Sequence, residues 1–260
     1  MKIAMTDLDI VWEDKKANRE RCRILIEEAA EKGADGILFP EMTLTGFSMA
    51  VEKIQDRDRE SISFFSELAK RYRIAVGFGY VTAEEEKGKN HFCFLDAQGE
   101  ILADYEKIHP FTYGGEPDVY EGGNTICAFV WRGLNCGAFI CYDLRFPEVF
   151  QQLPLETDVI FLIANWPESR LEHWYTLLKA RAIEMQCYVI GVNRTGEGDG
   201  LNYAKSSAAF SPEGERLKEM WGKENRYVEF DKNSRLEYVK NFPTRADRRP
   251  EVYTSQSIKK

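Results

Sequence analysis

The hydrophobic and polar positions of this chain follow two periodicities, which predict alternating strands and helices. Short apolar runs at residues 2–6, 37–39 and 74–81 are typical of buried strands. Between them, apolar residues recur every three or four positions at 16–32 and 58–72, which predicts two helices with one buried face each. Gly33 follows the first helix where a C-cap glycine is expected. The first third of the chain therefore has the pattern of strand–helix–strand units.

Hairpins and a second set of strands follow. Residues 91–96 and 101–105 predict a hairpin, with Gly99 in the turn between them. The second half has predicted strands at 126–131, 135–140, 159–164 and 187–193, a helix at 169–185, and a hairpin formed by 207–211 and 215–221. In that helix, Ser169 and Glu172 have the spacing of a capping box. The tail from Asn233 is polar, and we expect its end to be poorly ordered.

The two halves resemble each other weakly, since each runs through strands and helices and closes with a hairpin. This pattern suggests two similar sheets packed together with helices outside them, in the α/β class. A length of 260 residues allows one or two domains. No linker rich in proline, glycine or serine divides the sequence, so we expect a single domain over residues 1–260.

Composition narrows the classes of function. The formal net charge of -8 argues against nucleic-acid binding, which needs clustered lysine and arginine. The first residues turn polar too early for a signal peptide, and no apolar run approaches the ~20 residues that cross a bilayer. We therefore expect a cytoplasmic protein without a membrane segment, with its six cysteines reduced. With three histidines and no C-x-x-C, neither a metal site nor another cofactor is expected.

Cys141 is the first candidate for a catalytic residue. It follows an apolar strand and precedes Pro147, a residue suited to the first turn of a helix, so it is expected at a strand-to-helix turn. Backbone N–H groups at such a turn can lower the pKa of a thiol and later stabilise an oxyanion. An inert core cysteine explains the position equally well.

Glu41 and Lys107 also stand just past predicted strands. Glu41 could be a general base in a partly dry pocket, or a loop acid at the surface. Lys107 could offer a fixed positive charge to an oxyanion, or be solvated like most lysines. Taken together, the sequence predicts a thiol, a carboxylate and an ammonium at the same kind of strand end.

These residues lie in segments that resemble the motifs of the nitrilase, or carbon–nitrogen hydrolase, superfamily. FPEMTLTGF at 39–47 resembles its glutamate motif, EKIHPF at 106–111 its lysine motif, and ICYDLRFPE at 140–148 its cysteine motif. The three occur in the family's order, and ANWP at 164–167, KARAIE at 179–184 and VNR at 192–194 extend the resemblance over nearly the whole chain. The resemblance implies a four-layer α-β-β-α sandwich with internal pseudo-symmetry.

The resemblance also implies roles for individual residues. Cys141 would be the nucleophile, Glu41 the base that takes its proton and later activates water, and Lys107 with the backbone N–H of Tyr142 the oxyanion hole. A second glutamate follows the lysine in the family, and Glu116 fits that place best, with Glu121 as the alternative. Attack on an amide would release ammonia and leave a thioester, which water then hydrolyses.

The cysteine motif followed by Ala-Asn-Trp-Pro is similar to the omega-amidase branch, whose members deamidate small 2-oxo acid amides. Such a substrate carries a carboxylate, for which Arg145 and Arg170 are the candidate partners. Arg145 could equally form an ion pair with Asp143 or Glu148. Phe111 and Trp166 are candidates for the pocket wall or for the core.

One residue departs from the family pattern, and the sequence is also compatible with other functions. Lys205 stands where many relatives have glycine, which could change the loop beside the site. A carbamoylase or another small aliphatic amidase would use the same scaffold, and a non-catalytic binding protein or a redox protein are readings from other classes. Relatives assemble as dimers or larger oligomers, so we expect a homodimer or larger homo-oligomer, with the 169–185 helix and the segment after Cys141 as candidate contacts.

Overall fold

A computed structural model describes residues 1–84 and 87–253. The strands are β1 Lys2–Met5, β2 Gly36–Leu38, β3 Ala75–Glu84, β4 Lys87–Leu95, β5 Ile101–Glu106, β6 Tyr120–Glu121, β7 Cys127–Trp131, β8 Leu134–Ile140, β9 Val159–Ala164, β10 Tyr188–Asn193, β11 Gly196–Gly198, β12 Leu201–Tyr203, β13 Ala208–Phe210, β14 Met220–Trp221 and β15 Arg226–Glu229. The α-helices are α1 Lys15–Glu31, α2 Val51–Ile54, α3 Glu60–Tyr72, α4 Glu116–Val119, α5 Pro147–Phe150, α6 Leu171–Met185 and α7 Lys232–Asn241. Short 3-10 helices span Thr112–Gly114, Cys141–Arg145, Glu168–Arg170, Thr244–Asp247 and Pro250–Val252.

The strands form two large sheets and one small hairpin. The first sheet has the order β14-β15-β1-β2-β3-β4-β5, with β6 paired to β4, and the second has the order β13-β10-β9-β8-β7. Strands β15-β1-β2-β3-β4 pair in the sequence antiparallel, parallel, parallel, antiparallel. Strands β7-β8-β9-β10-β13 repeat that sequence. The expected internal pseudo-symmetry is therefore present in the strand pairing.

Alternation along the strands divides the apolar side chains between two cores. In β1, Ile3 and Met5 belong to the core between the sheets, whereas Ala4 faces the core beneath α1 and α3. On the other side, α6 packs on β10 and β13. The layers thus run helices, sheet, sheet, helices, which confirms the four-layer α-β-β-α sandwich. Within residues 1–84 and 87–253, no helix is both long and apolar enough to cross a membrane.

Most predicted elements are found within a few residues of their expected positions. The predicted face of α1 is buried, and Gly33 has a φ of 67°, which only glycine adopts freely after a helix end. The capping box at the start of α6 is wrong. Arg170 occupies the N-cap position without a side-chain cap bond, because a 3-10 turn at Glu168–Arg170 precedes the helix.

The last predicted hairpin is confirmed near its turn and wrong at the far end of its second arm. Residues 208–210 pair with β10, and near the turn the two arms are joined by a bridge between Phe210 and Arg216 and by backbone hydrogen bonds at both sides of it, from Ser211 N–H to Glu215 and from Leu217 N–H to Ala209. Residues 220–221 pair instead with β15, a strand that was not predicted and that lies in the other sheet beside β1. Strand β15 in turn pairs with the edge of β1, a partner far away in the sequence that local periodicity does not reveal.

The polar tail contains an unpredicted helix, α7. Asp231 caps its start, accepting a hydrogen bond from the backbone N–H of Ser234. The buried Arg235 guanidinium donates to the carbonyl oxygens of Gln186 and Leu155. Hydrogen bonds of a buried arginine therefore hold this helix against the rest of the protein. Because no apolar stripe is involved, the sequence pattern did not predict it. Residues 254–260, where the expected poor order would apply, lie outside the described residues.

Candidate active site

Three strand ends bring Glu41, Lys107 and Cys141 to one region between the sheets. Glu41 follows β2, Lys107 follows β5 and Cys141 follows β8, as the sequence predicted. The Lys107 ammonium lies 3.0 Å from Glu41 Oε1. Cys141 and Lys107 both line the same cavity. The alternative readings of Glu41 as a surface acid and Lys107 as a solvated cation are wrong, since their side chains are 0% and 2% exposed.

Glu116 joins this group, and Glu121 does not. The Lys107 ammonium donates to both oxygens of the buried Glu116 carboxylate, at 3.0 and 2.8 Å. The backbone N–H of Phe111 also donates to Glu116, which ties the carboxylate to the segment after Lys107. Glu121 lies in β6 with its side chain exposed. The geometry therefore favours Glu116 as the second glutamate of the site.

The charges of this group shift the pKa values of its members. Burial alone would lower the pKa of Lys107, but the negative charges of Glu116 and Glu41 outweigh it, so the pKa lies above its ordinary value. Burial raises the pKa of Glu116, Lys107 opposes that rise and Glu41 reinforces it. Lys107 is therefore a permanent cation, placed between two carboxylates with which it makes hydrogen bonds.

Asn90, a residue that the sequence analysis missed, bridges the two carboxylates. It is 2% exposed in β4, and its Nδ2 donates to Glu41 Oε1 at 2.8 Å and to Glu116 Oε1 at 3.2 Å. Its backbone oxygen accepts from the N–H of Lys107. No local signal marked it, because Asn90 follows the polar segment 87–89 and precedes the predicted strand at 91–96.

The second oxygen of Glu41 faces the segment after β9. Glu41 Oε2 accepts from the backbone N–H of Asn165 at 2.9 Å, and the Asn165 amide donates to the Glu41 carbonyl at 2.7 Å. On the opposite side, Gly79 lies so close that a Cβ there would stand 2.4 Å from the Met42 nitrogen. A glycine at this point in β3 lets the backbone carrying Glu41 approach the sheet.

Cys141 lies at a strained strand-to-helix turn, as expected. Its φ is 45°, an unusual value for a residue with a side chain, and a 3-10 turn starts at this residue. The partly buried thiol lies 3.9 Å from the carbonyl oxygen of Asn165. The expected lowering of its pKa is wrong. Burial raises the pKa of Cys141 and the negative charge of Glu41 adds to the rise, while Lys107 only partly opposes it.

A buried carboxylate, Asp143, holds the turn in place. One of its oxygens accepts from the backbone N–H and the Nδ1 of His109, and the other accepts from the Tyr105 hydroxyl and the Ile140 N–H. The His109 ring stacks on Phe146 with centroids 3.9 Å apart. The segment after β5 and the segment after β8 are therefore joined by one side chain.

A cavity of about 350 Å³ opens above the thiol. It is enclosed by residues from the segments after β2, β5, β8 and β9 and by the β11–β12 hairpin, among them Phe47, Lys107, Phe111, Tyr113, Cys141, Tyr142, Arg145, Asn165, Trp166, Arg170, Asp199 and Tyr203. Phe111 and Trp166 both line it, as predicted. Trp166 also packs on Trp174 with ring centroids 5.5 Å apart, so the core interpretation holds for it as well.

The two predicted arginines lie on aromatic rings of this cavity. The Arg145 guanidinium stands 4.7 Å from the Trp166 ring centroid, and Arg170 stands 5.5 Å from that of Phe111 and 5.4 Å from that of Tyr113. In the described ranges, Arg145 forms no ion pair with Asp143 or Glu148. The guanidinium instead approaches His173 Nδ1 at 3.4 Å, and Asp143 is occupied by His109 and Tyr105.

Lys205 lies away from the cavity. It borders a separate surface cleft together with Asp7, Asp9 and Arg21. Ser207 is buried, and its hydroxyl donates to the backbone oxygen of Thr6 at 3.0 Å. The expected disturbance of the loop beside the site therefore has no counterpart among the cavity-lining residues.

Comparison with known proteins shows which family the chain belongs to. Residues 2–235 match the carbon-nitrogen hydrolase family. The chain is 34% identical over 216 residues to the omega-amidase YafV of Yersinia enterocolitica, covering 83% of each chain. It is 31% identical over 257 residues to the 2-oxoglutaramate amidase of Bacillus subtilis, covering 96% of this chain and 98% of that protein.

Solved structures agree in fold. A CN-hydrolase superfamily protein from Xanthomonas campestris superposes with a TM-score of 0.88 at 30% identity, over 96% of this chain and 97% of the other. The NitN amidase superposes with a TM-score of 0.83 at 22% identity, over 97% and 98% of the two chains, and supports the fold alone. The chain therefore belongs to the carbon-nitrogen hydrolase family and is an amidohydrolase of that family.

Proposed function

We propose that this protein is an omega-amidase that hydrolyses the amide of a small carboxylate-bearing substrate, of the 2-oxoglutaramate or 2-oxosuccinamate type, and releases ammonia. The observation that carries the proposal is the cavity itself. It combines the Cys141 thiol with Arg145 and Arg170, which have no carboxylate partner in the described ranges. The names of the two bacterial relatives, omega-amidase and 2-oxoglutaramate amidase, support the same substrate class.

In the first half-reaction, the Cys141 sulfur attacks the amide carbon while Glu41 takes the thiol proton. The raised pKa of the thiol makes such a base necessary, because little thiolate is present before substrate binds. Lys107 Nζ and the backbone N–H of Tyr142 receive the charge that develops on the amide oxygen. Glu41 then passes the proton to the nitrogen, the C–N bond breaks, ammonia leaves and a thioester remains.

In the second half-reaction, water attacks the thioester carbon and gives a proton to Glu41. The C–S bond breaks, the carboxylic acid product leaves and the thiolate recovers the proton from Glu41. No other reactant is needed, so atoms and electrons balance over the cycle. In this scheme Glu116 is a positioning residue, because it contacts Lys107 at 2.8 Å and carries no proton in either half-reaction.

The substrate carboxylate is proposed to pair with Arg145 or Arg170. An arginine fork matches a carboxylate in two parallel hydrogen bonds, and stacking on Trp166 or Phe111 keeps its planar face fixed. The same two aromatic rings would wall the short carbon chain of the substrate. A cavity of about 350 Å³ suits a small amide.

The test is ammonia release from a panel that contains 2-oxoglutaramate, 2-oxosuccinamate, glutamine, N-carbamoyl compounds and nitriles. We expect the two 2-oxo acid amides to have the highest kcat/KM. A higher value for an N-carbamoyl compound or for a neutral aliphatic amide would replace the proposal with a carbamoylase or a general aliphatic amidase.

The panel needs a matched pair of cysteine variants. Cys141→Ala is expected to release no ammonia above background while remaining folded, because it lacks the attacking sulfur. Cys127→Ala removes a partly buried thiol that does not line the cavity, and it should retain activity. Turnover by Cys141→Ala at the level of the unmodified protein would contradict the mechanism.

The proposal extends to the cellular location, the subunit assembly and the domain organisation of the protein. We propose a single-domain protein that acts in the cytoplasm, where its six free cysteines would stay reduced. We also propose a homodimer or larger homo-oligomer with α6 in the contact, for which the exposed Ile183 of α6 offers apolar surface. Sedimentation at several protein concentrations measures the subunit number, and a monomer at all of them would contradict the assembly.

A further inference from the structure

The amide of Asn90 stands at an electrostatically crowded point. The carboxylates of Glu41 and Glu116 share a single buried cation, and their contacts with Lys107 Nζ number three, at 3.0, 3.0 and 2.8 Å. An ammonium has three protons, so when Lys107 turns one of them to an oxyanion the two carboxylates need a further donor. Two carboxylates and one ammonium leave an excess negative charge in a dry environment, which favours protonation of one carboxyl.

Asn90 supplies the next donor at this point. Its Nδ2 reaches Glu41 Oε1 at 2.8 Å and Glu116 Oε1 at 3.2 Å, the same two oxygens that each meet Lys107 at 3.0 Å. A hydrogen bond donated to an ionised carboxylate favours the ionised form. The amide therefore acts against the shared protonation that burial and like charge promote.

We propose that Asn90 is a positioning residue that bridges the pair of carboxylates and holds Glu41 in the orientation it needs as the base of the reaction. The inference rests on the base role that the proposed function gives to Glu41. It concerns neither the identity of the substrate nor a direct contact with it, since Asn90 does not line the cavity.

The orientation of the amide follows from its surroundings. Turning it over would point Oδ1 at two carboxylate oxygens, which repel it, whereas Nδ2 is attracted to both. In its actual orientation, Oδ1 is buried and has no hydrogen-bond partner among the described residues. The Asn90 amide thus makes both of its donor contacts and leaves its oxygen without a partner. The hydrogen bond from the Lys107 N–H to the Asn90 backbone oxygen fixes the position of β4 at this residue.

Other ionisable groups face this cluster and must be considered in a pH experiment. Burial raises the pKa values of Cys141 and Tyr120, and the negative charges of Glu41 and Glu116 add to both. Burial likewise raises the pKa of Tyr203 to about 12, with smaller effects from Arg194, Cys141 and Glu41. These groups are uncharged near neutral pH, so an acid-side transition reports on the carboxyl groups and their partners.

The experiment measures how fast iodoacetamide alkylates Cys141 as a function of pH, in parallel with the pH profile of kcat/KM. Thiolate formation requires an ionised Glu41 as proton acceptor, so the acid limb follows the carboxyl group. Asn90→Ala removes the donor, and Asn90→Asp replaces it with a third acid of the same shape. We expect the acid limb to move up by about one to two pH units in Asn90→Ala, the range set by one charged hydrogen bond, and further in Asn90→Asp.

Asn225 provides the matched control. It is also fully buried, donates from Nδ2 to the Leu25 oxygen at 2.9 Å, and has an unpartnered Oδ1, but it lies away from the site. Asn225→Asp should lower thermal stability and leave both pH profiles in place. An unchanged acid limb in both Asn90 variants, or an equal shift in Asn225→Asp, would overturn the proposal.

A fourth variant separates this inference from the proposed function. Glu41→Gln should slow alkylation at neutral pH and remove its acid limb. If alkylation of Glu41→Gln matches that of the unmodified protein, the base role of Glu41 fails, and the proposed mechanism fails with it. If only the substrate panel fails, the alkylation profiles of the Asn90 variants still decide the role of Asn90.

Discussion

Arg145 and Arg170 differ in where they stand relative to the thiol. Arg145 ends the 3-10 turn that begins at Cys141, and its guanidinium lies over Trp166, next to the residue whose carbonyl the thiol contacts. Arg170 lies between Phe111 and Tyr113, and Tyr113 is 85% exposed. Arg145 is therefore the better placed partner for a carboxylate close to the scissile amide.

Replacing Arg145 with methionine should raise KM for 2-oxoglutaramate by about 10–100-fold, the equivalent of losing one charged hydrogen-bonded contact. The KM of a neutral amide should stay within a factor of about three, because such a substrate has no carboxylate to lose. Arg145→Lys keeps the charge but lacks the planar guanidinium fork, so its KM for 2-oxoglutaramate should lie between those of the unmodified protein and of Arg145→Met. Steady-state kinetics of both variants measure this, with Arg170→Met in parallel. A larger KM change in Arg170→Met than in Arg145→Met would show that the substrate carboxylate binds at Arg170, beside the exposed Tyr113.

At the scale of elements, the 3-10 turn after β8 determines where the thiol points. A positive φ at Cys141 is strained, so surrounding bonds must hold the turn. Asp143 provides them, joining the turn to Tyr105 at the end of β5 and to His109 just after it. The same carboxylate thus holds the elements that carry Cys141 and Lys107 in fixed relation.

Asp143→Asn should lower kcat by about a hundredfold, the effect of displacing a reacting atom by about 1 Å. An asparagine would point an NH₂ group at donors of His109 or Tyr105 and loosen the turn. Steady-state kcat, together with thermal unfolding to confirm a folded protein, measures the effect. Glu148→Gln, an exposed change in the same segment, should leave kcat unaltered. Full activity of Asp143→Asn would show that the turn at Cys141 keeps its conformation without the hydrogen bonds of Asp143.

At the scale of the whole molecule, stability depends on the apolar layer between the two sheets. Phe94 of β4 and Phe161 of β9 stack across it, with centroids 5.3 Å apart and an interplanar angle of 10°. Both are almost completely buried, at 1% and 0% exposed. Their contact joins the sheet that carries Glu41 and Lys107 to the sheet that carries Cys141.

Phe161→Ala should therefore lower the free energy of unfolding by about 3–5 kcal/mol, since it removes a fully buried ring and leaves a cavity. Phe242→Ala changes a ring that is 58% exposed and should lower it by less than about 0.5 kcal/mol. Denaturant unfolding of the two variants measures both values. Equal losses in the two variants would mean that the layer between the sheets does not dominate stability.

The sequence by itself determined most of the longer strands and helices and the strand ends at which Glu41, Lys107 and Cys141 stand, because local periodicity and turn chemistry act over a few residues. The resemblance to the carbon–nitrogen hydrolase family, now confirmed, added the four-layer architecture and pointed to Glu116, which lies beside Lys107.

Only the tertiary structure decided which groups surround those residues. Asn90 meets Glu41 across 49 positions of sequence, and Asn165 meets it across 124. The strand pairing of β15 with β1 and the polar docking of α7 are likewise long-range. The raised pKa of Cys141 has the same origin, because burial and the charge of Glu41 exist only once the two sheets have packed together.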